Sequence, residues 1–125
     1  MLDWKSILAN LGGLIVGLYL FQGRYSSAAM KAMIEKPQNR REAAGKMIEA
    51  LGGKLILLYF CFGSEDVVAL IEAPDDETMA ACSLLVGASG SLSAGSTTKL
   101  MSVETAMKAM EMAGRAASQY TPAAG

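Results

Sequence analysis

The stretch Lys54-Leu55-Ile56-Leu57-Leu58-Tyr59-Phe60-Cys61-Phe62, followed by Gly63-Ser64-Glu65 and then Asp66-Val67-Val68-Ala69-Leu70-Ile71-Glu72-Ala73, decides the fold. Two apolar runs flank a short turn-forming triplet, which is the pattern of a β-hairpin. Neither run alternates cleanly between apolar and polar residues. Strands that are apolar on both faces expect cover on both faces.

Upstream of the hairpin, Asn39 can cap a helix, with Glu42 at the third position reaching back in a capping box. In that helix Ala44, Met47, Ile48 and Leu51 fall on one apolar stripe, and Gly52-Gly53 supplies a left-handed stop. Earlier still, Ser26 caps a helical piece over Ser27 to Glu35 that Pro37 ends, and Leu14 to Gln22 reads as the first strand. Downstream, Pro74 breaks strand pairing and Asp75 caps a helix with Asp76 and Glu77 near its positive end. That helix, Thr78 to Ser89, is apolar on nearly every side and is expected to be deeply buried, with Gly90 closing it. Ser91 to Met101 is a polar strand suited to a sheet edge. Ser102 caps a last helix in which Val103, Ala106, Met107, Met110 and Ala113 line one face. Met30, Met33, Met47, Met107 and Met110 all stand at helical core spacing, so packing explains them better than metal binding.

The order β-α-β-β-α-β with a helix after it predicts an α+β, ferredoxin-like domain over residues 14–115, with helices on one face of an antiparallel sheet. Residues 1–13 form a leader in which Trp4, Ile7, Leu8 and Leu11 repeat at helical spacing, and residues 116–125 read as a flexible tail. In this topology the Leu55–Phe62 strand lies at an edge, and one sheet face stays open. At ~1.5–3 kcal/mol per fully buried side chain, covering that face favours self-association. The C-terminal helix offers partial cover.

Hydrophobic residues make up 52% of the chain and charged residues 18%, an apolar excess that suits a partner-facing surface. The net charge of −1 gives no bulk attraction to nucleic acid or to an anionic membrane. Arg40-Arg41 and Lys46 are interrupted by Glu42 and Glu49, as on a solvated helix face. The absence of histidine removes Ser-His and Cys-His catalysis and the commonest metal ligand. Cys61 and Cys82 lie in apolar runs without metal spacing, as free thiols do in a reducing cytoplasm. The apolar run Leu11 to Phe21 is too short to span a bilayer. Asp3 and the lack of a small-x-small site argue against a secretion signal. The expectation is a cytoplasmic protein with no cofactor, metal, nucleic-acid or membrane partner.

At Phe21-Gln22-Gly23-Arg24-Tyr25 the sequence resembles the GYD-domain family of small bacterial and archaeal proteins. The resemblance continues in order through Arg40-Arg41, Leu51-Gly52-Gly53-Lys54-Leu55 and Phe62-Gly63-x-x-Asp66-Val67-Val68, and then through Glu72-Ala73-Pro74-Asp75, Thr97-Thr98 and Val103-Glu104-x-Ala106. It spans roughly residues 14–113. The family places a tyrosine immediately before the aspartate, where this chain has Glu65 before Asp66. The resemblance implies a ferredoxin-like fold of the dimeric α/β-barrel type and no settled activity.

Candidate site residues are the polar groups in or beside the apolar strands. Glu72 follows Val68 and Leu70 at strand spacing and shares their face. There it is a candidate general base, or it reaches solvent or pairs with Lys54, Lys99 or Arg24. Asp66 is the second carboxylate candidate, with turn capping as its simpler role. Arg24, Tyr25, Lys54 and Tyr59 are candidate ligand-binding residues around a barrel mouth. Two functions follow. The first is a homo-oligomer, dimeric or larger, holding a small molecule in its sheet-lined interior. The alternative is a cofactor-independent oxygenase- or isomerase-like enzyme using a barrel carboxylate.

Overall fold

The computed structural model describes residues 17–124. The leader, residues 1–13, and the first residues of the expected first strand lie outside that range. The elements run β1 (Gly17–Tyr25), α1 (Ser27–Glu35), α2 (Arg40–Ala50), β2 (Lys54–Phe60), β3 (Val67–Ala73), α3 (Asp76–Ala88), β4 (Leu92–Leu100) and α4 (Val103–Ala116). The sheet order is β2-β3-β1-β4 and every pairing is antiparallel. This is the ferredoxin-like α+β arrangement with an added C-terminal helix, and it puts β2 and β4 at the edges.

The helix starts follow local chemistry. Side-chain oxygens of Ser26, Asn39, Asp75 and Ser102 accept from the backbone N–H groups of Ala29, Glu42, Thr78 and Thr105. At the end of α2, Gly52 takes φ +96° and closes the helix. Gly53 is required for space, because a Cβ there would stand 2.9 Å from the Glu72 carbonyl oxygen and 3.0 Å from Ile48 Cγ2.

The core lies on one face of the sheet. Tyr19, Ala69, Ile71 and Ala73 point up from β1 and β3 to meet Ile48 of α2 and Met79 and Cys82 of α3. Leu55 and Leu58 of β2 pack against this cluster. Strand alternation therefore sends Leu18, Leu20, Val68, Leu70 and Glu72 to the opposite face, which no helix among the described residues covers, with Leu70 buried there and the others half-buried. A register shift between Leu55 and Leu57 aligns Leu57 with Leu70 on that same face.

Several expectations need correction. The first strand continues past Gln22 to Tyr25, because both neighbouring strands extend the pairing. Strand β2 ends at Phe60, and Cys61 and Phe62 belong to the turn. Helix α3 is not deeply buried: Met79 and Cys82 are, but Leu84 is 73% exposed and Leu85 is exposed as well. An apolar helix on a four-stranded sheet has one side against the strands and one side away from them. Met30, Met107 and Met110 are exposed rather than core residues. Helix α4 makes no substantial packing contact with the sheet among the described residues, so it does not cover the open face. A 3₁₀ turn, Ala117–Gln119, follows it within what reads as a flexible tail. No described helix is long and apolar enough to cross a membrane.

Candidate functional site

The open sheet face carries most of the polar candidates. Glu72 stands on β3 between Leu18 of β1 and Lys54 of β2, which lie directly across from it. Its Oε2 atom is buried and has no hydrogen-bond partner among the described residues. Lys54 is exposed, and no ion pair joins it to Glu72 among the described residues. Tyr59, across from Val68, is 64% exposed on the same face. Arg24 also lies there, but at the far end of β1. It is six positions along from Leu18, roughly 20 Å on a strand. Its Nη1 donates to the Ser64 carbonyl at 2.5 Å, holding the hairpin turn to β1. The structure thus brings Lys54 and Glu72 together and keeps Arg24 and Tyr59 at the other end.

Asp66 belongs to the turn. Its Oδ2 accepts from Tyr25 N at 3.0 Å, its own N–H donates to the Gly23 carbonyl at 2.8 Å, and its carbonyl accepts from Cys61 N at 2.9 Å. These bonds bind the hairpin end to the end of β1, and the carboxylate is engaged in structure.

Tyr25 faces the helices instead. It is buried and its ring stacks on Phe60 with centroids 5.7 Å apart. Burial pushes its hydroxyl above the usual tyrosine range, and the nearby Arg40 guanidinium draws it partly back. Tyr25 and Arg40 border a half-open cleft of about 230 Å³ between the sheet and helices α2 and α3. Phe21, Met47, Leu58, Met79 and Cys82 are among the residues that form its interior. Burial raises the Cys82 thiol, which keeps it protonated and weakly nucleophilic.

Sequence reasoning missed a third cluster, at the opposite end of the core face. The Tyr19 hydroxyl donates to Asp76 Oδ1 at 2.5 Å, and Lys99 Nζ donates to the same oxygen at 2.9 Å. Lys99 Nζ also lies 5.9 Å from the centre of the Tyr19 ring. The three side chains tie the start of α3 to β1 and β4. Their only sequence signal is the Tyr19–Lys99 alignment, which requires the β1–β4 register.

The hydrogen bond to Asp76, with burial and the surrounding carboxylate charges, pushes the Tyr19 hydroxyl up to about 12. The unfolded chain releases that proton near pH 10. The stabilisation is therefore fully present below about pH 10 and is lost as pH rises through about 12. Tyr19→Phe should lower the urea midpoint at pH 7 by the scale of one net hydrogen bond and flatten the decline between pH 10 and 12. Identical alkaline curves for the two proteins would show that the Tyr19–Asp76 bond does not exist in solution.

The profile of the GYD domain family matches residues 19–110. Among solved structures, the crystal structure of MtbAldR is similar, with TM-score 0.54 and 18% identity over 82% of this chain. The chain spans about 60% of that protein's length, so the likeness is one of fold alone. No functionally curated protein matches the chain.

Proposed function

The chain belongs to the GYD domain family, and from that premise and the geometry above we propose that it works as a homo-oligomer whose open sheet faces meet around a small-molecule site. The observation that carries this reading is the open face itself. Half-buried Leu18, Leu20, Leu57 and Val68 and buried Leu70 share it with a Glu72 carboxylate oxygen that is buried and has no hydrogen-bond partner among the described residues. A second copy would remove the aliphatic surface from water. A ligand with a hydrogen-bond donor or a positive charge would satisfy Glu72, with Lys54 beside it for an anionic or carbonyl group. Edge strand β2, with Tyr59 and Phe60 exposed, supports the same reading, since an uncovered apolar edge invites association.

Native mass spectrometry tests both parts together. The expected spectrum shows multiples of the 13.1 kDa subunit carrying a retained small mass that disappears in Glu72→Leu. Lone subunits without an adduct would contradict the reading. The same substitution should raise the stability of ligand-free protein, because a buried unsatisfied polar atom costs about 1–3 kcal/mol. A urea titration showing Glu72→Leu to be less stable would mean that Oε2 has a partner within the protein.

The unpartnered Oε2 also favours a second reading, a cofactor-independent oxygenase- or isomerase-like enzyme with Glu72 as general base. That enzyme would exchange a carbon-bound proton of its ligand with deuterated water. Glu72→Gln would stop the exchange. Exchange that continued unchanged in the variant would rule out Glu72 as the base.

A further inference from the structure

We propose that the cleft on the helix side of the sheet is a separate binding site for a medium-chain aliphatic monocarboxylate, with its chain inward and its carboxylate on Arg40. The site lies on the opposite sheet face from Glu72, so it stands or falls independently of the assembly.

The argument begins with space. Protein interiors contain few voids larger than a water molecule. A dry apolar cavity of 150 Å³ is enough for benzene, whereas drug-sized sites begin near 300 Å³. At about 230 Å³ the cleft falls between them. Scaling from the six carbons of benzene gives roughly eight or nine carbons. The interior offers Phe21, Ile48, Leu58, Met79 and Val86, which favours an unfunctionalised chain.

Charge then selects the head group. Among the described residues Arg40 is the one charged residue in the lining, and none of them there is a carboxylate. Arg40 is a half-buried residue at the first position of α2, and its Nη1 donates to the neutral Gln38 Oε1 at 3.0 Å in an exposed contact. No ion pair engages Arg40 among the described residues. Guanidinium has five donors arranged to match a carboxylate, so capacity is left for a bidentate contact. Tyr25 borders the same cleft close to Arg40, and its raised hydroxyl stays protonated and able to donate to that carboxylate. An amine head group would meet an unshielded cation, and a neutral alcohol would leave the guanidinium without its counter-charge.

The test uses sodium octanoate, 1-octanol and octylamine against the full chain. Isothermal titration calorimetry gives affinity, and the methyl resonances of Met47 and Met79 report whether the cleft is the site. Octanoate should bind most tightly and shift both methionines. Arg40→Gln should weaken octanoate at least tenfold while leaving octanol unchanged, because one charged hydrogen-bonding group has been removed. Ala44→Phe places a ring in the cleft lining while keeping the Arg40 charge, and should abolish binding of both octanoate and octanol. A thermal melt of each variant confirms that it is folded before titration. Absence of octanoate binding at millimolar concentration, equal affinity in Arg40→Gln, or tighter binding of octylamine would each overturn the proposal.

Discussion

Ile48→Ala unfolds at a much lower urea concentration than the parent chain, with a loss of about 2–5 kcal/mol in unfolding free energy. Ile48 is 2% exposed and is the buried residue of α2. It touches the core formed by Tyr19, Ala69, Ile71, Ala73, Met79 and Cys82, and so anchors α2 to the sheet. Its carbonyl also accepts from Gly53 N at 2.9 Å, where the chain turns into β2. Truncation removes apolar contacts and enlarges a space that already borders the helix-side cleft. Neighbours that already line an opening are poorly placed to close a new one, which puts the expected loss in the upper part of the range. A domain of this size has about 5–15 kcal/mol in total, so the effect is a large share. Ile34→Ala is the control. Ile34 is 80% exposed on α1, and its truncation should change stability by no more than about 0.5 kcal/mol. Equal effects at the two positions would show that the core does not lie between α2 and the sheet.

Leu57→Asp is expected to separate the assembly into single subunits without unfolding them. Leu57 lies on edge strand β2, opposite Leu70, on the open face. In an isolated subunit it is half-buried on an edge strand, where a carboxylate can turn toward water. In the proposed assembly the same carboxylate would be buried against apolar surface, and the cation nearest on that face, Lys54, already stands across from Glu72. Burying an unpaired charge costs about 3–5 kcal/mol, which raises the dissociation constant by roughly two to four orders of magnitude. Leu84→Asp distinguishes this interface from general hydrophobic sticking. Leu84 is even more exposed, but it stands on α3, away from the sheet. Sedimentation velocity should show dissociation for Leu57→Asp and the parental species for Leu84→Asp. The reverse pattern would move the interface to the helices.

Local chemistry is where the sequence was most legible. The four side-chain caps at Ser26, Asn39, Asp75 and Ser102 depend on three-residue spacings, and the helices start where those residues place them. The two-sided apolar hairpin and the alternation of Val68, Leu70 and Glu72 locate β2, β3 and the open face. Burial was less legible. The composition of α3 is apolar all round, and nothing in it says that Met79 and Cys82 face the strands while Leu84 and Leu85 do not. The stripe Val103, Met107 and Met110 shows a helix with one apolar side but not what covers it.

The polar sites divide along the same line. Strand alternation puts Glu72 on the Leu70 face, but its orphaned oxygen depends on where Leu18 and Lys54 align. Adjacent residues Arg24 and Tyr25 read as a pair, yet alternation sends them to opposite sides of the sheet. Tyr19, Asp76 and Lys99 are distant in sequence and meet only through the β1–β4 pairing. The Arg40 cleft requires the spacing between α2 and α3 over the strands. Each of these is a long-range consequence of packing, with no local spacing to announce it.

Multi-angle light scattering of the full chain across the micromolar range is the most direct measurement of the central claim. The open sheet face predicts a mass of at least twice 13.1 kDa that persists on dilution and falls to one subunit in Leu57→Asp. A stable particle of 13.1 kDa for the parent chain throughout that range would contradict it.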